Sequence, residues 1–479
     1  MTKKYSLMLH NASGSAGLIK VLAPFDQAQI AEVETANAKH IDQALDVAYS
    51  LYRNKDSWMP LHKRIEILEK TAQLMGQQQE QLALEAAREG GKPLADSKVE
   101  VARAIDGIHL CIETLKTDQG EVIPMGSSAS SQQRIAITQK EPIGVVVAVS
   151  AFNHPLNLIV HQVAAAVAAG CPVIVKPSED TPISCFNFVE LLWQAGLPTQ
   201  WCQACVPESI EVSEKLVTDS RVGFFTFIGS AKVGWMLRSK LAPGVRCALE
   251  HGGAAPVIVA EDANIENAIA KLGKGGFYHA GQVCVSVQRI FAHKQVFNSV
   301  LENLSSYAQQ QRIGDPTLAD TEVGPLIRPA EVQRIDSWVQ EAKHQGANCT
   351  VGGSTVSDTC YQCTVLENPS LESNVSKLEI FGPVVCVYEY EDMDWALEQA
   401  NALPFSFQAA VFTQNLDTAM RVYKRIDASA VMLNDHTAFR VDGMPFAGLK
   451  QSGIGVGGIS YTIEDMQVNK MLVMNSPEL

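Results

Sequence analysis

The sequence predicts an α/β protein built on doubly wound parallel sheets. Three observations carry that expectation. The length of 479 residues, with 46% apolar and 19% charged composition, suffices for about three domains of ~150 residues each around sizeable cores. The runs Gly144–Val149, Pro172–Lys176 and Val222–Phe227 are almost continuously apolar, as befits strands buried on both faces of a parallel sheet. These runs alternate with stretches of helical period, the β-α-β-α-β grammar of a doubly wound domain.

Taken in order, residues 1 to about 35 read as irregular chain and edge strands. Ala38 to Arg53 and Leu61 to Arg88 carry helix-period apolar positions (Ile41, Ala44, Leu45, Ala48; Ile65, Leu68, Ala72, Met75), and Gly90-Gly91 ends the second as a C-cap. A third helix runs from Ala95 to Lys116 with Arg103 in its middle. The polar, β-prone ribbon Glu121 to Gln139 reads as an exposed hairpin. A helix from Pro155 to Ala169 stops at Gly170, Thr181 caps a further helix ending at Gly196-Leu-Pro198, and another begins near Ala231. After Gly253 a second α/β set follows: strand Pro256–Ala260, a helix through Ile265, Ala268, Ile269 and Leu272, strand Val285–Ala292, helices near 294–311 and 330–345, and strand Val384–Tyr390. Met471 to Met474 reads as a lone strand.

The net charge of −14 argues against nucleic-acid or anionic-membrane partners, which demand a basic surface. No apolar run reaches the ~18 residues of a membrane span, and His10, Asn11 and Ser13 interrupt any signal-peptide core; a cytoplasmic protein is the expectation. Eleven cysteines without a secretion signal read as reduced thiols. The Cys202/Cys205 and Cys360/Cys363 pairs lie too far apart for a zinc site, so no metal is expected.

Cys284, in Phe277-Tyr-His-Ala-Gly-Gln-Val-Cys284, follows a helix and a small-residue turn and precedes a strand, a position from which a thiol can reach a cleft. Alone, such a cysteine is more often a small buried hydrophobe. Only the thiolate is a good nucleophile, and the nearest upstream helper is Glu250, in Leu249-Glu-His-Gly-Gly253. Gly229-Ser230-Ala-Lys-Val-Gly234 joins an apolar strand to a helix, where free N–H groups suit a phosphate. Lys176 and Glu179 leave another strand's C-terminal end, where open α/β sheets bind ligands; a Glu179 carboxylate there accepts ribose hydroxyls and repels a 2′-phosphate, the competing reading being a solvated surface pair. Gly453-Ile-Gly455-Val-Gly-Gly458 fits the Gly-x-Gly-x-x-Gly spelling but lacks a preceding strand and a following βαβ unit, and reads as a turn.

Gly281-Gln-Val-Cys284 with Arg289, Leu249-Glu-His-Gly-Gly253, Phe152-Asn-His-Pro155, Lys176-Pro-Ser-Glu179, Ile228-Gly-Ser230, Gly314-Asp-Pro316, Gly324-Pro325, Glu379-Ile-Phe-Gly-Pro383 and Pro445-Phe-Ala-Gly448 occur in one order. Together they resemble the aldehyde dehydrogenase superfamily, from about Val21 to near the C-terminus. The resemblance implies a Rossmann-like NAD-binding domain (1–118 and 140–250), a catalytic α/β domain (251–452) and a small β oligomerisation arm (119–139 and 453–479) of a homodimer or homotetramer. It implies Cys284 as nucleophile, Asn153 in the oxyanion hole and Glu250 as general base. Phe152, Lys176, Ser178, Glu179, Gly229, Ser230, Gly234, Glu379 and Phe381 would hold NAD in preference to NADP.

The sequence departs from the family pattern at Ile228, His154, Leu156 and Ala254-Ala255, which leaves pocket shape open. An acylating, coenzyme A-dependent enzyme remains an alternative, although such members commonly lack the glutamate; so does a cysteine hydrolase pairing Cys284 with His251. Arg103, His154 and Arg440 suggest a short anionic or hydroxylated aldehyde, resembling the branch with lactaldehyde and phosphonoacetaldehyde dehydrogenases. Val283, where an arginine would help hold a phosphate, argues against a doubly charged substrate. Local pairing of Arg103 with Glu100 or Asp106, and of Arg440 with Asp442, is the competing reading.

Overall fold

The computed structural model describes residues 3–479. Two parallel-rich sheets organise it. The first has the spatial strand order Gly453–Ile454, Arg246–Glu250, Val222–Ile228, Val145–Val149, Val173–Lys176, Cys202–Ala204. All neighbours are parallel except the Gly453–Ile454 strip, which is antiparallel and sets Gly453 opposite Glu250. From Val145–Val149 the chain steps outward on one side, then returns to place Val222–Ile228 on the other. That reversal is a topological switch point and opens a crevice beyond the C-terminal ends of these two strands. Val145, Val146, Val147 and Ala148 are fully buried, which is why this strand reads as a continuous apolar run.

The second sheet has the order Asn348–Val351, Thr364–Glu367, Val384–Tyr390, Val287–His293, Ala255–Val259, Gln408–Phe412, Ala430–Leu433, parallel apart from its Asn348–Val351 edge. Glu250 ends a strand of the first sheet, whereas Cys284 and the Glu379–Phe381 segment precede strands of the second; all four of Glu250, Cys284, Glu379 and Phe381 line one cavity. The C-terminal edge of one sheet thus faces the N-terminal edge of the other.

Several local expectations change. Lys3–Tyr5, Gly17–Leu22 and Gln29–Ala36 form one sheet with Val206–Pro207. The pattern from Leu61 is two helices, Leu61–Gln77 and Gln79–Gly90, broken at Gln78; Gly91 caps the second in the left-handed conformation, which only glycine adopts without strain. The third helix is Leu94–Thr117. Thr181 is not a cap: Pro182 occupies that place, and Glu89 accepts hydrogen bonds from the Ile183 and Ser184 N–H groups at 2.8 Å each. Burial pushes Glu89 up to about 8 against these bonds, so it serves the helix end as a hydrogen-bond acceptor. The helix after Asn153 starts at Asn157 and contains a π-helical turn, Val160–Ala164, a device that often accompanies functional sites. The strand after Cys284 is Val287–His293.

The tail is no lone strand. Gln467–Asn475 pairs antiparallel with Arg134–Pro142 along its whole length, and Val122–Ile123 adds a third strand. Val122, Met471 and Leu472 remain exposed on it. Among the described residues no helix is long and apolar enough to cross a membrane, and no group of three or more His, Cys, Asp or Glu residues is arranged to hold a metal.

Candidate active site

The crevice between the sheets is a cavity of about 1120 Å³, large enough for a dinucleotide beside a small substrate. Cys284, Glu250, Asn153, Phe152, Lys176, Ser178, Glu179, Gly229, Ser230, Glu379, Phe381, Arg103, His154 and Arg440 all line it. Gly234 does not: a Cβ there would lie 2.0 Å from the His251 ring, so this glycine serves helix packing.

Helix Ile265–Phe277 delivers Cys284 through three consecutive left-handed residues, His279 (φ 50°), Ala280 (φ 53°) and Gly281 (φ 69°). Two of these are not glycine, a local strain of the kind that gathers at functional sites. Eight of the eleven cysteines are buried; Cys284, partly exposed, opens on the cavity. Burial in the cavity wall, with the Glu379 and Glu250 carboxylates beside it, pushes the Cys284 thiol up to about 12, against the pull of Arg440. Burial likewise raises Glu250, again opposed by Arg440.

Asn153 donates one amide N–H to the Gln282 carbonyl at 2.9 Å. Gln282 is itself fixed, donating to the carbonyls of His279 (3.3 Å) and Pro325 (3.2 Å) and accepting from Ile327 N–H (3.0 Å). The loop bearing Asn153 is anchored by Glu100, whose Oε1 accepts the Leu156 and Asn157 N–H groups at 2.9 and 3.0 Å, while buried Lys92 neutralises Oε2. His154 is neutral, held well below its ordinary pKa by burial, and its Nδ1 has no partner.

At the nucleotide end, Ser230 stands at the N-terminus of helix Ala231–Arg238 with no side-chain cap bond. Lys176 reaches the Glu179 carboxylate; against partial desolvation, that pairing holds Glu179 below the usual carboxylate range. At the other end Phe152 meets Phe381 edge-on at 5.8 Å. Burial pushes Glu379 up to about 8, and its Oε1 is buried without a partner. An orphaned carboxyl oxygen beside two aromatic rings, with a free helix N-terminus along the same cavity, fits a dinucleotide.

The basic residues sort differently from either local pairing. Arg103 pairs with Asp442, whose Oδ1 also accepts from Asn157 (3.1 Å) and from His161 Nε2 (2.7 Å). Against desolvation, the contacts from His161 and Arg103 hold Asp442 far below the carboxylate range. Arg440 has no such partner: its Nε and Nη2 are buried and unbonded, and its guanidinium lies 3.7 Å from the Phe446 ring centre. Gln282, Glu100, Asn157, His161 and Asp442 are absent from the sequence-derived site; each acts through a contact distant in sequence.

The chain belongs to the aldehyde dehydrogenase family, whose pattern matches residues 10–472, and is an oxidoreductase acting on aldehydes. It is 35% identical over 475 residues to 3-sulfolactaldehyde dehydrogenase of Priestia aryabhattai, covering 99% of this chain and 98% of that one. Among solved structures, aldehyde dehydrogenase 21 from Physcomitrella patens, in complex with its reaction product succinate, superposes with a TM-score of 0.95 at 34% identity, covering 99% of both chains. Glyceraldehyde-3-phosphate dehydrogenase from Methanocaldococcus jannaschii, complexed with NADP, gives 0.91 at 29% identity, covering 98% of this chain and all of that one.

Proposed function

We propose that this protein oxidises a short aldehyde bearing a sulfonate or carboxylate, with NAD as hydride acceptor and Cys284 as covalent nucleophile. The observation that carries the reading is Arg440: a guanidinium with two unbonded N–H-bearing nitrogens on the wall shared with Cys284 and Glu250. A buried, unpaired cation is costly, and an anionic substrate group would satisfy it. The neighbour solved with succinate and the sulfolactaldehyde-oxidising relative, both acting at anionic three- or four-carbon skeletons by their names, support this class.

In the reaction, the Cys284 thiolate adds to the aldehyde carbon. The resulting oxyanion takes the second N–H of the Asn153 amide and the backbone N–H of Cys284, each such donor contributing roughly 2.7–4 kcal/mol. The dinucleotide, when bound, supplies a cationic nicotinamide ring that accepts the hydride. Ser230 and its helix N-terminus would meet the pyrophosphate, Lys176, Ser178 and Glu179 the adenosine ribose, Glu379 the nicotinamide ribose, with Phe152 and Phe381 packing at the nicotinamide end. Loss of hydride leaves a thioester on Cys284. Glu250 takes a proton from water as the hydroxide adds to the acyl carbon; collapse expels the Cys284 thiolate and leaves the carboxylic acid, which gives its proton to solvent to become the carboxylate product. A carboxyl raised by burial suits a general base near neutral pH.

Residues 1–118 with 140–250 would form the nucleotide-binding domain and 251–452 the catalytic domain; of the expected arm, 119–139 with 453–479, the stretch Gly453–Met466 packs on the nucleotide-binding domain instead, leaving 119–139 with Gln467–Asn475 as the arm of a homodimer or homotetramer, for which the exposed apolar residues of that three-stranded sheet are suited. Glu250 argues against an acylating, coenzyme A-dependent enzyme. His251 is a poor hydrolase base because its ring packs against Phe227 and Trp235 and makes no hydrogen bond to Cys284. A panel of aldehydes scored by NADH formation tests the proposal: higher kcat/KM for sulfonate- and carboxylate-bearing aldehydes is expected, and a preference for long neutral ones would overturn it.

A further inference from the structure

The glycine run Gly453–Gly458, rejected above as a dinucleotide fingerprint, lies along the strand that ends in Glu250. Gly453 pairs with Glu250 and Ile454 with Leu249. Beyond the pairing, a Cβ on Gly455 would stand 3.1 Å from the Ala248 Cβ, and one on Gly457 would stand 2.2 Å from Glu250 Oε1 and 3.1 Å from its Cδ. Gly453, Gly455 and Gly458 also need positive φ (157°, 87° and 104°), whereas Gly457 does not. Backbone conformation therefore does not require glycine at 457. Space does, and the space is filled by a carboxylate.

We infer that Gly457 is a positioning residue for Glu250: its missing side chain is the recess in which the carboxylate rests. This rests on Glu250 being the base of the proposed reaction. The recess sits at a junction. Gly457 N–H donates to the Phe446 carbonyl at 2.7 Å and Phe446 N–H to the Gly457 carbonyl at 2.9 Å, so the strip that seats the base also holds the ring beneath Arg440. A methyl at 457 would drive the Glu250 carboxylate out into the cavity. Misplacement of a reacting group by about 1 Å can cost roughly 100-fold, and here the cost falls on thioester hydrolysis, the step that uses Glu250, and not on hydride transfer, which does not.

The test is a double-mutant cycle on the full-length enzyme with propionaldehyde and NAD, which keeps it independent of the anionic-substrate reading. Gly457→Ala should retain a pre-steady-state burst near one NADH per site, lower steady-state kcat roughly 10- to 100-fold, and accumulate acyl-enzyme. Glu250→Asp has a shorter arm, so Gly457→Ala added to Glu250→Asp should cost little more than Glu250→Asp alone. Additive losses, equal losses of burst and turnover, or no loss would overturn the inference. A second contact guards against misreading a folding defect, because a Cβ at 457 also approaches the Phe446 carbonyl at 3.0 Å. If Gly457→Ala unfolds the protein, Gly457→Ala in a Glu250→Ala background should fold; if that too unfolds, the backbone contact and not Glu250 demands glycine, and the inference fails. Failure of the catalytic reading shows separately, as unchanged turnover in Glu250→Gln.

Discussion

Arg103 and Asp442, 339 positions apart in the chain, share two hydrogen bonds, Nε to Oδ2 at 3.0 Å and Nη2 to Oδ1 at 2.7 Å. The pair closes the middle of helix Leu94–Thr117 onto the loop that carries Arg440, and Asn157 and His161 join the same carboxylate from the helix after Asn153. Three segments around the aldehyde end are thereby held to one buried charge. Removing one partner of such a cluster leaves the others uncompensated, which costs about 3–5 kcal/mol. Asp442→Asn is expected to lower the urea-unfolding free energy by about 3 kcal/mol or more, and Arg103→Met by less, because Asn157 and His161 still serve Asp442. A wild-type midpoint in Asp442→Asn would contradict the assignment.

Arg440, unlike Arg103, keeps two buried guanidinium nitrogens without a partner. Arg440→Ala should raise KM ~10-fold or more for succinic semialdehyde, in line with roughly 1.5–3 kcal/mol for a charged hydrogen bond, and leave propionaldehyde almost unchanged. Steady-state kinetics on the two aldehydes checks this; equal effects would remove Arg440 from substrate binding.

The thiol of Cys284 should be sluggish in the free protein. With its pKa raised to about 12 by burial and the neighbouring carboxylates, the thiolate fraction at neutral pH is small and rises about tenfold per pH unit. Iodoacetamide labelling, followed at the Cys284 peptide by mass spectrometry, should accelerate from pH 7 to 10 without a plateau. Saturating NAD should speed it at fixed pH, since a cation beside the sulfur favours its charged form. A plateau below pH 8 without nucleotide would count against this.

How far the sequence reaches is clear from particular residues. The strands Val145–Val149 and Val173–Lys176 were legible because parallel strands buried on both faces are apolar at every position. Motif order singled out Cys284, Glu250 and Asn153, and folding brings all three to the wall of one cavity. What was not legible was long-range polar pairing. Sequence proximity offered Arg103 to Glu100 or Asp106, and Arg440 to Asp442; folding instead gave Asp442 to Arg103 and Glu100 to Lys92 and the Asn153 loop. Thr181 looked like a cap, but Glu89 reaches the same helix end from another helix. The break at Gln78 comes two residues after Gly76, a weak local signal masked by the helical period that continues beyond it.

The proposed preference for NAD over NADP rests on Glu179. Its carboxylate, kept ionised beside Lys176, would face a 2′-phosphate. NAD should give the higher kcat/KM, and Glu179→Ser should narrow the gap roughly tenfold, about 1.4 kcal/mol of discrimination. A wild type that favours NADP would show that Lys176, not Glu179, governs the ribose end.

The most direct test of the whole account is intact-protein mass spectrometry of Glu250→Gln after mixing with NAD and succinic semialdehyde. The account predicts a burst near one NADH per site followed by slow turnover, and a protein mass increased by the acyl group, mapped by peptide analysis to Cys284 and absent from Cys284→Ala. Unchanged steady-state turnover in Glu250→Gln with no adduct, or NADH formation at the wild-type rate in Cys284→Ala, would contradict it.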